Sequence, residues 1–184
     1  MAFSGIEVSQ ATKDIFDKIM NLRKKGKMPG CVFKIVPHEK NIKQNSIEPV
    51  EGSFQENIET NGLEFFKGPY FKDDECCYLL YYSSIAAEGK KENPIPLLIH
   101  WSPDAAKIRY KMLSASSLDH MKSAVEKAQI NGCHCTSFNT KNDVSLNGLS
   151  SLKCLGTSRP VILDGVRVKK IKGGEYEEDK SEDE

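Results

Sequence analysis

Two places in this chain gather side chains that could ligate a metal or move a proton. Cys133, His134 and Cys135 stand in an unbroken row, and His100 lies four residues before Asp104. A thiolate–imidazole–thiolate run could hold zinc, and a histidine near an aspartate could act as a base. Neither reaches a working constellation. Structural zinc takes four well-spaced ligands, and no second ligand pair accompanies Cys133 and Cys135. Alternation along a strand would turn the two sulfurs to one side as ordinary thiols. His100, Asp104, Cys133 and His134 belong to no triad motif, and the chain has no glycine-rich phosphate loop or paired metal spacing. The residues therefore predict no enzyme, no cofactor and no metal site.

What remains is charge and apolar surface. The chain carries 26 basic and 26 acidic side chains, but they are unevenly spread. The last ten residues, EYEEDKSEDE, hold seven acids and one lysine, which leaves the preceding 174 with a net charge of +6. A basic body suits an acidic partner, and the acidic tail, residues 173–184, reads as disordered. The opening MAFSGIEVSQATKDIF lacks a basic segment followed by an apolar one, so no secretory leader is expected. No apolar run is long enough to span a bilayer. The six cysteines then read as free thiols in a reducing, cytoplasmic setting. RKKGK (Arg23–Lys27) fits either a short nuclear-import signal or a solvated helix end whose cations favour the negative dipole.

The elements that must position any site follow from periodicity. Residues 9–25 predict a helix capped by Ser9 or Thr12 and stopped by Gly26 and Pro29. CVFKIVP is a strand, a second strand falls around Ile47–Phe54, and residues 62–70 form a short helix. CCYLLYYSSI and IPLLIHW are buried strands joined by a turn with Lys90 and Lys91. Ser102-Pro103-Asp104 opens a long helix running to about Ala128. The strand CHCTSFNT, a helix near 144–155 and the strand PVILDGVRV complete a single domain, residues 1–172. The fold class is α+β, a sandwich-like central mixed sheet flanked by helices.

The long helix has two apolar faces. On a wheel with Lys111 at zero, Leu113, Ala106, Ala124, Ser117, Tyr110, Ala128, Met121, Val125 and Leu118 fill an arc of roughly 140°, wide enough to pack on a sheet. Ile108, Met112 and Ala115 lie outside it, at roughly +40° to +100°. Lys111 and Lys122 border this strip on one side and Arg109 and Lys127 on the other. Two explanations fit: another segment covers the strip, or it meets a partner. An apolar strip rimmed by long cations suits an acidic protein surface with a greasy notch, and methionine adapts to an irregular partner.

These residues also carry a resemblance. WSPDAAKIRYKMLSASSLDHMKSAV closely resembles the actin-binding helix of the actin-depolymerising factor (ADF)/cofilin family. MAFSGIEVS is similar to the family's N-terminus, CCYLLYYSS to its core strand, and EGKKENPIPLLIHW to the hairpin before its tryptophan. The resemblance implies the ADF-homology (gelsolin-like) fold, binding to actin monomers (G-actin) and filaments (F-actin), filament depolymerisation, and no catalytic residues or cofactor. Arg109, Lys111 and Met112 match the helix contacts, with Ile108 and Lys122 beside them. Ser4, Gly5 and Ile6 match the N-terminal part of the surface, Ser4 at the regulatory phosphorylation position. Lys90 and Lys91 match a second, filament-only contact. A monomeric protein of the cytoskeleton, with phosphoinositides as competing ligands and no nucleic-acid partner, completes the implication. Three features depart from the family: the penultimate helix offers mainly Lys153, the segment after the first strand is long, and the acidic tail is unusual. Monomer sequestration, or filament-side binding without severing, therefore stands as the alternative.

Overall fold

In the computed structural model, residues 6–38, 45–155 and 158–180 are described. The strands β1 (Glu7–Val8), β2 (Gly30–Val36), β3 (Ser46–Pro49), β4 (Cys77–Ala87), β5 (Asn93–Trp101) and β6 (His134–Phe138) make the body of a mixed sheet. Its order is β1-β3-β2-β4-β5-β6, with parallel pairing only at β1–β3 and β5–β6. Both strand-rich segments pair as neighbours, Cys77 opposite Trp101 through Ile85 opposite Asn93.

Alternation along β4 explains the two cores. Tyr78, Leu80 and Tyr82 face one way, where α1 (Gln10–Lys24) and α3 (Ile108–Lys127) cover the sheet with Phe16, Ile19, Met121 and Val125. Cys77, Leu79, Tyr81 and Ile85 face the other way, beneath α2 (Gly62–Tyr70) and α4 (Leu146–Ser150), with Leu63, Phe66 and Leu149. The result is a sheet sandwiched between two helical layers, as expected. Ser9 caps α1 by accepting from the Thr12 amide at 3.1 Å, and Gly26, at φ +79°, ends it.

Four expectations are corrected. The segment read as one strand, PVILDGVRV, is a hairpin of β7 (Pro160–Leu163) and β8 (Val166–Lys170) around Asp164 and Gly165, both at positive φ. Two positive φ values in a two-residue turn match the twist of the flanking strands, and Asp-Gly is a preferred pair for it. The tail read as disordered holds a ninth strand, β9 (Tyr176–Glu178), antiparallel to β8. The second strand is shorter than Ile47–Phe54 and ends at Pro49. The long helix starts at Ile108 rather than Ser102, because Pro103–Ala106 close a separate turn through the Ala106 amide.

Candidate actin-contact surface

The helix α3 is fixed from behind. Ser114, Ser117, Met121 and Val125 are its buried residues, close to the predicted arc. The Tyr78 hydroxyl donates to the Ser114 carbonyl at 2.5 Å, and His100 Nε2 shares a hydrogen bond with Ser114 Oγ at 3.0 Å. His100 Nδ1 lies 3.3 Å from Ser137 Oγ, so one buried ring ties β5, β6 and α3 together. Burial holds this imidazole neutral and pushes its pKa down to about 4, with Lys122 adding a smaller push.

Pinned this way, the helix turns its other side to solvent. Ile108 is 78% exposed and Met112 69%, and Arg109 and Ala115 are exposed beside them. No described segment covers the strip. Lys111 reaches back to Asp104 at 3.4 Å and keeps 31% of its side chain exposed, so it is a tethered cation. Lys122 pairs with Asp119 at 3.5 Å on the same helix. It lies fourteen residues beyond Ile108, about 20 Å along the axis, and does not join the cluster.

The remaining predicted residues fall elsewhere. Ile6 is 3% exposed and belongs to the core beneath α1, which corrects its placement on the surface. The cause is β1: Glu7 pairs with Ser46 and Val8 with Ile47, so the parallel ladder carries Ile6 against the sheet. Ser4 and Gly5 lie outside the described residues. Lys90 and Lys91 are exposed in the β4–β5 turn. That turn is separated from the start of α3 by the full nine residues of β5, about 30 Å of strand. The two cationic surfaces therefore sit at opposite ends of one strand.

The sequence reading missed Tyr110, assigned to the core arc but 46% exposed. The arc was drawn over the whole helix, whereas the first turn stands over an open groove. Tyr110, Lys107 and Leu113 there line a groove of about 510 Å³ with Lys34, Ile35 and Tyr78. Glu75 borders the groove, its carboxyl held below the usual value by its hydrogen bond to Lys34. Of the residues weighed for catalysis, His100 is buried, His134 lies on β6, and Asp104 reaches this surface as the partner of Lys111. Among the described residues no group of three or more potential ligands could hold a metal ion. No described helix is long and apolar enough to cross a membrane.

The sequence model described as cofilin/tropomyosin-type actin-binding protein matches residues 5–150. Actin-depolymerizing factor 8 of Arabidopsis thaliana is 32% identical over 127 residues, covering 69% of this chain and 81% of that protein. Cofilin-1A of Dictyostelium discoideum is 28% identical over 69% of this chain and 82% of its own length. Among solved structures, the ADF-like UNC-60A protein of Caenorhabditis elegans superposes with a TM-score of 0.57 at 18% identity, over 77% of this chain and 90% of that one. Actin depolymerization factor 2 of Plasmodium berghei gives 0.53 at 21% identity, over 78% and 92%. Likeness at that identity fixes the fold.

Proposed function

From the chain's membership of the ADF/cofilin family of actin-binding proteins, we propose that it binds actin monomers and filaments and promotes filament disassembly. The observation that carries this reading is the exposed pair Ile108 and Met112 beside Arg109 on a helix held rigidly from behind. An apolar centre rimmed by cations supplies both halves of a protein interface: area that leaves water on contact, and charge that steers an acidic partner. Tyr110 extends the apolar surface toward the groove beside it. The protein acts as a binding module of the cytoskeleton in this reading, with no chemistry of its own.

Lys90 and Lys91, at the far end of β5, provide the second contact that only a filament offers, because a filament presents two actin subunits at once. The short α4, LNGLS, bears no charged residue, which favours monomer binding as the stronger activity and severing as the weaker. Ser4 is the regulatory position: a phosphate there adds about −1.5 to −2 charges and repels an acidic partner. The same cations accept phosphoinositide headgroups in competition with actin.

Pelleting with filaments at high and low speed, together with pyrene-actin disassembly, tests the reading. Binding moves the protein into the filament pellet, and depolymerisation moves actin into the supernatant. A chain that does neither is not an actin-turnover protein.

A further inference from the structure

The three strands at the C-terminal end lie beyond residues 5–150, the span shared with the family, and they build a surface of their own. β5 occupies one edge of β4 along Cys77–Ile85, so β7 joins the other edge, pairing Ala86 with Ile162 and Ala87 with Pro160. Ile162 in turn pairs with Arg167 on β8. Arg167 is thus two strands from Ala86, about 10 Å across the sheet. Since β4 and β7 are antiparallel, and β7 and β8 are too, β8 runs in the same direction as β4. Lys169 and Lys170 therefore advance abreast of the chain as it enters the turn bearing Lys90 and Lys91. The Glu88 amide bonds to the Arg159 carbonyl at 2.8 Å and closes the junction. Arg159, Arg167, Lys169, Lys90 and Lys91, all exposed, gather at one end of the sheet, with Lys170 on the opposite face of β8.

That surface already has an occupant. β9 lies along β8 with Glu177 opposite Lys169, and Lys169 Nζ meets Glu177 at 3.5 Å and Asp179 at 3.9 Å. Val168 is buried, so alternation puts Arg167 and Lys169 on the other face, where Glu177 and Asp179 meet Lys169. The Asp179 amide bonds to the Arg167 carbonyl at 2.9 Å, and Tyr176 packs on the core beneath α4. The cover is built to be weak. It is three residues long, Glu177 and Glu178 are exposed, and the turn leading to it holds Gly173 and Gly174 at positive φ. A short edge strand on exposed ion pairs opens at low free energy and loosens as salt rises.

We propose that the acidic tail strand is a detachable strap over a cationic docking surface continuous with Lys90 and Lys91, and that its release strengthens filament binding and leaves monomer binding unchanged. The proposal rests on the actin reading above, but the masking step is separable from it. An acidic protein segment is the partner that fits, because one already sits there in cis. The strap competes with it for Lys169.

The test compares the full chain with E177Q/D179N, which keeps the strand and Tyr176 but removes the charges facing Lys169, and with deletion of residues 175–184. Poly-glutamate is the first probe and actin the second. At about 0.01 M salt, where charges reach about 30 Å, both variants bind poly-glutamate and filaments about threefold to tenfold more tightly than the full chain. The gain shrinks as salt rises to about 0.15 M, where the reach is about 8 Å. Affinity for monomers stays the same. Equal poly-glutamate binding by all three proteins overturns the masking. A gain for poly-glutamate with unchanged filament affinity overturns the assignment of this surface to filaments. A full chain that binds neither form of actin overturns the functional reading, and the poly-glutamate comparison still decides the strap.

Discussion

Ile108 and Met112 are held in solvent by contacts made on the other side of the helix. The Tyr78 hydroxyl, the His100 ring and the buried Ser114 and Ser117 fix the helix in rotation, so its exposed apolar residues cannot roll under. Truncation at the centre of an interface costs more than truncation at its rim. Met112→Ala is therefore expected to weaken monomer binding by about 1–2 kcal/mol, roughly tenfold. Arg109→Ala costs more than Lys111→Ala, because Lys111 is already tethered to Asp104. The pair together lowers affinity at least about tenfold. Isothermal titration with monomeric actin measures all four variants, and the melting temperature of each single variant stays within about two degrees because surface changes of this kind cost at most about 0.5 kcal/mol. Wild-type affinity in the double variant removes the assignment of this face. For Ser4, the glutamate variant is expected to bind monomers more weakly and the alanine variant equally well; equal binding by both removes the switch.

At the scale of elements, the joint between α2 and the β7–β8 hairpin depends on one buried carboxylate. Asp164 accepts from the Leu63 amide at 2.7 Å, at the start of α2, and from the Ser83 hydroxyl at 2.8 Å on β4. Burial pushes its pKa up, while those donors pull it down. Asp164→Ala strands both donors and places a side chain without a local hydrogen bond at φ +54°, costing about 2–4 kcal/mol in urea unfolding. Asp164→Asn keeps an acceptor and tolerates that φ, so it costs less. Equal losses in the two variants contradict this account. The same joint marks the limit of what periodicity reads. The boundaries of α1 were legible because a cap and a breaker flank it, Ser9 and Gly26. In PVILDGVRV the apolar alternation continues through the turn, so the segment reads as one strand although Asp-Gly is present. The strand β9 was illegible for a related reason: EYEED looks solvated alone, and only the basic strand beside it gives its acids partners. Within the site, the exposure of Ile108 and Met112 was legible from the wheel. The exposure of Tyr110 was not, since a wheel carries no information about where a groove opens beneath the helix.

At the scale of the molecule, the two helical layers are joined through one sheet, and the α3 layer is joined to it by a polar bridge. His100 is 4% exposed, stacks on Tyr78 at 5.4 Å between ring centres, and bonds to serines on α3 and β6. A bridge that works with a neutral ring makes stability depend on pH with a definite sign. The folded-state pKa is about 4 and the ordinary value 6.5. Above about pH 6.5 the ring is neutral in both states, and its contribution is fully present. As pH falls from 6.5 toward 4, the unfolded chain takes up the proton first, so stability declines; below 4 the loss is complete. At pH 4.5 the loss amounts to about 2–3 kcal/mol relative to pH 7. Asp164 works in the opposite sense, because its raised pKa lets the folded state protonate first as pH falls. The comparison must therefore be between proteins that both keep Asp164. His100→Gln retains polar partners for Ser114 and Ser137 without a titrating ring. Urea unfolding at pH 7 and pH 4.5 is expected to show the wild type losing about 2–3 kcal/mol more than His100→Gln between the two conditions. Parallel losses mean that His100 is protonated in the folded state, and the neutral bridge between sheet and helix is then the wrong description.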